Sequence, residues 1–488
     1  MTATPGQDLL TLEISDGLGR AALGALGRDA LTRYLSARRW FGAKGQAIEA
    51  AGFDEVAPLI AGDDPIALAR VAVRFASGHT EHYQVPLAID REGRASLILA
   101  NIHGGGVLHD AVESPEFRRQ LGRAFAQRAT AAAQTVRWEF EPLTELEDLA
   151  DVPTRVVGGE QSNTSIVFGE RAILKLFRHL EIGQNPDVEI GRFLTTRTNF
   201  RGTPALLGIL HLRAPAGDGV AGMVQEFLPD STDGWAHVLA RLANNGADQA
   251  LTTELQALGR LTRELHAALA SVTDDPDFAP EPTTQADLDR WRTEVNTQVT
   301  TTFTQLAAQL GQLPAKIVGP AHALLGRAEQ LRDPLRDPLR DPLRVEAARP
   351  RIRHHGDYHL GQVLRTADGG WRIIDFEGEP ARPLAERRAK HHPLRDVAGM
   401  LRSFAYAAAV AARTDPARDP ATAERAMRAA FLAGYDPDLA GDPRSSALLA
   451  LFETEKALYE LRYELGSRPD WAWIPLAGLA DLLSARPA

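Results

Sequence analysis

The sequence contains no cysteine. Disulfides, thiolate metal sites and a cysteine nucleophile are thereby excluded. It also lacks any charge-free run of about 18 apolar residues, the length a membrane-spanning helix needs. The first stretch, MTATPGQDLLTLE, has neither the basic start nor the apolar centre of a secretion signal. No dense Lys/Arg tract stands out in a chain of formal net charge −10, so nucleic acid is not the expected partner. These absences together predict a cytoplasmic enzyme or adaptor, with no membrane segment.

What is present points to a multidomain globular protein. A chain of 488 residues is too long for one comfortable core, so two or three domains are expected. Its 44 % hydrophobic and 24 % charged residues give the balance of a folded protein rather than a disordered one. Within residues 1–150, FDEVAPLI (53–60), IALARVAVRF (66–75) and EHYQVPLAI (81–89) read as strands separated by turn residues. A helix is expected over 112–133, with Phe117, Leu121 and Phe125 on one side. This part is predicted to be a small α+β domain.

After LADVP the pattern restarts. Over 151–230, TRVVGGEQSNTSIVFGERAILKLFRHL gives apolar runs divided by a Gly/Ser/Asn loop and a tight turn. Residues 231–488 are predicted to be mainly helical, with a stripe of Leu258, Leu261, Leu265 and Leu269 and further helices over 288–318 and 394–413. LRDPLRDPLRDP (331–342) is a true repeat. Proline at every fourth residue removes amide donors and crowds each preceding turn, so a surface connector is expected there.

The densest chemistry lies in RIRHHGDYHLGQVLRTADGGWRIIDFEGEP, residues 351–380. Two short apolar runs flank ADGG, a hairpin turn. Asp357 and Gln362 precede or open the first strand, and Asp375 and Glu377 close the second. A hairpin would bring them together. Carboxylates and an amide oxygen around one point suit Mg²⁺ with phosphate, and the ion removes the repulsion of like charges. A carboxylate slightly off the metal would orient and deprotonate a hydroxyl nucleophile. The competing reading is an ordinary acidic turn.

Earlier in the chain, Gly158 and Gly159 permit close backbone approach to phosphate, and Ser162, Asn163 and Thr164 add donors. Lys175 interrupts the apolar strand RAILKLF, either snorkelling to the surface or facing phosphate. Glu189 is its expected carboxylate partner, with Glu181 as the alternative. AGMVQEFLP (221–229), with Gln225 and Phe227, reads as a buried strand breaking into a linker suited to an adenine ring.

In this order the elements resemble the protein-kinase-like small-molecule kinases of the aminoglycoside-phosphotransferase family. HGDYHLGQ is similar to their catalytic loop, with Asp357 as the base and Gln362 where the family usually has a metal-binding Asn. IDFEGEP is similar to their metal loop, which gives Asp375 the metal role and places Glu377 beside it. RWFGAKG (39–45), QSNTS (161–165) and IIDFEGEPARPLAERRAKHHPLRDVAGMLRSF (373–404) look more specifically like bacterial maltokinases.

That resemblance implies a bilobal α+β kinase fold with an additional N-terminal cap domain and a mainly helical C-lobe. It further implies ATP- and Mg²⁺-dependent phosphorylation of maltose at its anomeric hydroxyl, feeding glycogen or α-glucan synthesis, often beside trehalose synthase. The sugar is then expected near His359, Glu377, Arg382 and Lys390. Lys456, Tyr459 and Glu464 of the helical segment EKALYELRYELGSRPDWAWIP are expected to join them. Against this stands a tyrosine stripe simply packed inside the lobe. His355 is expected to bond backbone rather than act as base, and Asp396 to brace the catalytic loop. A monomer is expected. The alternatives are a glucosamine or other sugar kinase of the same family and an inactive kinase-like interaction module.

Overall fold

The computed structural model describes residues 9–14, 17–62, 64–158, 162–332, 349–380, 382–415 and 419–484. Gly159 and the LRDP repeat beyond Arg332 lie outside them. The chain divides into two compact units, Met1–Arg192 with Pro204–Pro229, and Phe193–Thr203 with Asp230–Ala488.

In the first unit the strands are β1 (Thr11–Leu12), β2 (Ile48–Ile60), β3 (Ile66–Phe75), β4 (Thr80–Gln84), β5 (Leu87–Asp90), β6 (Ile98–Ile102) and β7 (Val107–Asp110). They continue with β8 (Thr130–Ala132), β9 (Arg137–Pro142), β10 (Thr154–Val156), β11 (Asn163–Phe168) and β12 (Ala172–Phe177). The last three are β13 (His179–Leu180), β14 (Leu206–Ala214) and β15 (Gly217–Glu226). One sheet runs β1-β6-β7-β5-β3-β4-β13, with β2 also on β3, and the second runs β10-β11-β12-β15-β14-β9-β8. Alternation in β3 turns Val71, Val73 and Phe75 into one core, packed on Leu31 and Leu35 of a covering helix. The sheets exchange strands along the chain: β8 and β9 precede residue 150 yet join the second sheet, and β13 follows β12 yet joins the first.

Helices of this unit are α1 (Arg20–Leu23), α2 (Arg28–Ser36), α3 (Pro115–Ala126) and the start of α4 (Pro186–Arg197). The helix expected over 112–133 therefore ends early. Ser114 caps α3 through the Phe117 amide, and Arg128 at φ +51° reverses the chain, after which Thr130–Ala132 pairs with β9. Alanine-rich ATAAA looked helical, but strand pairing decides it.

A buried charge links the two sheets. Arg178 lies 2.9 Å from Asp110, both at most 1 % exposed. Tyr34 donates to the same carboxylate at 2.6 Å, and Arg178 Nε donates to Thr164 on β11 at 2.9 Å. The Arg178 guanidinium also covers the Trp40 ring at 5.0 Å.

The second unit holds a three-stranded sheet, β16 (Thr232–Asp233), β17 (Val363–Arg365) and β18 (Trp371–Ile373), in that order. Around it lie α5 (Gly234–Asn245), α6 (Gln249–Leu269), α7 (Gln285–Gln309), α8 (Ala315–Leu325) and α9 (Ala328–Arg332). They are followed by α10 (Leu384–Arg387), α11 (Leu394–Thr414), α12 (Pro420–Tyr435), α13 (Pro443–Ser467) and α14 (Trp473–Ser484). Leu258, Leu265 and Leu269 of the predicted α6 stripe are fully buried. The helix expected over 288–318 is two, interrupted before Pro314, which opens α8. No helix of the described residues is long and apolar enough to cross a membrane.

Candidate active site

In the first unit β11 and β12 form an antiparallel hairpin, with Gly158 exposed two residues past β10 and Ser162 just before Asn163, the first residue of β11. Lys175 lies across from Ser165 on one side and Met223 on the other. Its Nζ stands 3.0 Å from Oδ2 of Asp187, a fully buried carboxylate. Asp187 is thus an acid on Lys175 that the sequence did not single out, and the expected Glu189 follows two residues on in α4, half-buried. Gln225, next to last in β15, lies opposite Ile173, and beyond the strand the Phe227 amide donates to the Arg171 carbonyl at 2.9 Å.

In the second unit β17 and β18 pair antiparallel through the ADGG turn. One imidazole spans the two ends of this hairpin. His355 Nδ1 accepts the Asp357 amide at 3.4 Å, and its Nε2 donates to the Ile374 carbonyl at 2.9 Å, so it serves backbone and not base chemistry. The loops also touch: a Cβ built on Gly356 would sit 3.2 Å from the Gly378 Cα, and both glycines have positive φ. The Ile374 amide donates to the Gln362 carbonyl at 3.0 Å. Asp375 adopts φ +68°, a conformation that non-glycine residues rarely hold without reason. Carboxylate oxygens of Asp375 and Glu377 come within 4.8 Å of each other. These oxygen donors fit a hard divalent cation such as Mg²⁺.

Asp357 lines a cavity with Tyr358, Glu379, Arg382, Lys456 and Tyr459. Lys456 Nζ bridges Asp357 Oδ1 (3.0 Å) and Glu379 Oε1 (2.8 Å) and lies 5.1 Å above the Tyr459 ring. Burial alone would lower its pKa, but the two carboxylates outweigh burial and hold it well above the usual lysine value. Glu379 shows the converse. Burial pushes it up, yet Lys456 and Arg382 bring it down to about 2. Glu455 closes the rim by accepting from Arg382 at 3.2 Å and from Arg395.

Of the expected sugar contacts, Arg382, Lys456 and Tyr459 line this cavity. His359 stands 3.9 Å from Asp357, its Nδ1 accepting the Gly361 amide to cap the turn that carries Gln362. Burial is the main cause that lowers its pKa. Two others lie elsewhere. Lys390 is held by the Pro276 carbonyl (2.6 Å) and Glu281 (2.8 Å). Glu464 is 1 % exposed and takes Arg468 at 2.7 Å and Tyr406 at 3.1 Å. Its position is about 140° from Tyr459 around α13. Glu379, Arg395, Glu455 and Arg462 were missed. Glu455, Tyr459 and Arg462 share one face of α13, so the i, i+4, i+7 spacing was the available signal.

Asp396 also lines the cavity, and it accepts the amides of His355 (2.8 Å) and Gly356 (3.0 Å). Burial would raise its pKa, but His354, His266 and His355 outweigh it and keep the carboxylate low. His354 and His392 are themselves brought down to about 4 and about 3, chiefly by burial. His391, stacked on Trp291 at 4.6 Å, is also well below its ordinary value. Below about pH 6.5 the unfolded chain takes up protons that these folded imidazoles refuse, so stability is full above that pH and falls towards pH 4. The expected slope is about 1.4 kcal/mol per pH unit for each histidine. Urea midpoints at pH 7, 6 and 5 should fall in step, and a flat series would remove the effect.

Residues 34–113 match the maltokinase N-terminal cap domain. A glucosamine kinase of Mycolicibacterium smegmatis is 31 % identical over 342 residues, covering 67 % of this chain and 79 % of its own. The chain belongs to the maltokinase-like kinases of the aminoglycoside-phosphotransferase family. A second member, a glucosamine kinase of Streptacidiphilus jiangxiensis, is 29 % identical over 67 % of this chain and 73 % of its own. Among solved structures, a glucosamine kinase in complex with glucosamine, ADP and inorganic phosphate superposes with a TM-score of 0.63 at 25 % identity. It covers 93 % of this chain and 99 % of that one. The bilobal kinase-like fold, with N-terminal cap and helical C-terminal region, is thus that of the family.

Proposed function

We propose that this kinase transfers the γ-phosphoryl group of ATP to the anomeric hydroxyl of maltose, giving maltose 1-phosphate and ADP. Asp357 acts as the base, receiving the hydroxyl proton as transfer proceeds. The Lys456 ammonium 3.0 Å away holds its side chain in place, and in a loose transition state alignment matters more than proton affinity. Gly158, Ser162, Asn163 and Lys175 are assigned to the nucleotide phosphates, and Gln225 and Phe227 to the adenine. Gln362, Asp375 and Glu377 would hold Mg²⁺, which when bound neutralises phosphate charge. A product of this kind would feed α-glucan synthesis, with a functional link to trehalose synthase.

One observation favours a neutral sugar. Three of the cavity's four carboxylates are already matched by cations, Asp357 by Lys456, Glu379 by Lys456 and Arg382, Glu455 by Arg382 and Arg395, and the fourth, Asp396, is taken by two backbone amides and His266. An incoming ammonium would find no carboxylate to itself and four cationic side chains, Arg382, Arg395, Lys456 and Arg462, instead, which disfavours it. Hydroxyls can exchange hydrogen bonds with all these groups, and Tyr459 offers a ring face. The second reading, glucosamine, is favoured by the names of the relatives above. Turnover of maltose, glucose, glucosamine and maltotriose with Mg-ATP separates the two. Maltose is expected to exceed glucosamine by at least about tenfold in kcat/KM, a difference of about 1.4 kcal/mol. Phosphate should appear on the anomeric oxygen. A preference for glucosamine would overturn this reading in favour of the second.

A further inference from the structure

Asp396 has a third partner besides the two loop amides, and it comes from α6, a helix that contributes no residue to the cavity lining. His266 on α6 places Nε2 3.0 Å from Asp396 Oδ2 and Nδ1 3.0 Å from Tyr435 Oη. One turn earlier on the same helix face, Thr262 Oγ1 meets Tyr358 Oη at 2.9 Å. Tyr358 directly follows Asp357. Thr262 is fully buried and His266 only 6 % exposed. Side chains from one face of α6 therefore hold both flanks of the loop that carries the base.

The position of this face is set by helix packing. A Cβ built on Gly259 would lie 2.1 Å from the Phe431 carbonyl oxygen, and one on Gly434 would lie 2.0 Å from that of Gln256. The α6 and α12 backbones thus pack closer than any side chain allows, and Tyr435, at the end of α12, arrives against His266 as a result. Donor counting fixes one end of the imidazole. An ionised Asp396 can only accept, so His266 Nε2 donates to it. Tyr435 Oη, which also accepts from Arg349 at 3.4 Å, engages the other ring nitrogen, Nδ1, so the imidazole is held at both ends and with it the Asp396 carboxylate.

We propose that His266, held by Tyr435, is a positioning residue for phosphoryl transfer. It fixes the Asp396 carboxylate, and through the amides of His355 and Gly356 it sets where Asp357 stands. This role rests on Asp357 acting as the base, as proposed above, and is independent of which sugar is used. Displacing a reacting group by about 1 Å is enough to cost about 10²-fold in rate. Loss of the imidazole should therefore reduce kcat and leave both KM values nearly unchanged.

The test compares His266→Leu, His266→Gln and Tyr435→Phe in the full chain, each checked for folding by thermal melting. His266→Leu is expected to lower kcat by about 10–100-fold with KM for ATP and sugar within about twofold. His266→Gln, whose amide can still donate to Asp396, should recover most of that loss. Tyr435→Phe should cost about 3–10-fold and keeps the comparison alive if the leucine variant fails to fold. Hydrogen exchange at the 355 and 356 amides should accelerate in the same order. Folded variants with unchanged kcat and unchanged exchange overturn the proposal, as does a loss confined to KM. Exchange is read without turnover, so if no sugar is phosphorylated the assignment of Asp357 fails while the relay is still decided.

Discussion

Replacing Asp357 by Asn is expected to lower turnover by about 10²–10⁴-fold while leaving ATP affinity within about a factor of two. Asparagine keeps the shape and the hydrogen-bonding reach of the side chain but cannot accept the hydroxyl proton. The fold should survive, because Lys456 retains Glu379 at 2.8 Å as a partner. Nucleotide affinity is expected to survive because the groups assigned to the phosphates, Lys175 with Asp187 among them, belong to the other compact unit. Steady-state kinetics with the best sugar of the panel, alongside nucleotide titration, checks both halves. An asparagine variant that still turns over at more than about a tenth of the parental rate would remove Asp357 from its role.

The second large effect is one of stability. Arg178 and Asp110 form a buried pair 2.9 Å apart, and removing one partner leaves a charge without compensation inside the first unit. Asp110→Ala or Arg178→Met alone should cost about 3–5 kcal/mol. Asp110 loses more than the pair, since its other oxygen accepts the Val112 amide at 3.2 Å. The double substitution should cost less than the sum of the singles, because no lone charge remains. Urea unfolding of the three variants gives the comparison. Singles within about 1 kcal/mol of the parent would mean that water reaches the pair and screens it.

The sequence was most legible where a period or a fixed spacing carried the signal. The hairpin of β17 and β18 follows from two apolar runs around ADGG, and its turn forms where glycine and aspartate permit it. The α6 stripe follows from leucines at three- and four-residue intervals. Legibility failed where two options were locally equal. Alanine-rich 129–133 favours helix by propensity, and only pairing with β9 makes a strand of it. Glu189 and Asp187 are both acids near the start of α4, and nothing local marks Asp187 as a partner of Lys175. Glu464 lost its place for a geometric reason, since a helix face cannot be chosen by composition. Glu379, one of the strongest charges in the cavity, stood two residues from an acid already singled out, but its partner Lys456 is far along the chain and no short-range pattern joins them.

The interleaving of strands in the first unit bears on how such a protein can be inherited or engineered. A cut at residue 150 would carry β8 and β9 away with the wrong piece, and β13 would remain behind as a fragment without β4. Each half would then present raw strand edges, rows of amides and carbonyls open to self-association. Ancestral gain or loss of the N-terminal region by simple fusion would meet the same obstacle, which makes it an integral portion of the scaffold and not a detachable appendage.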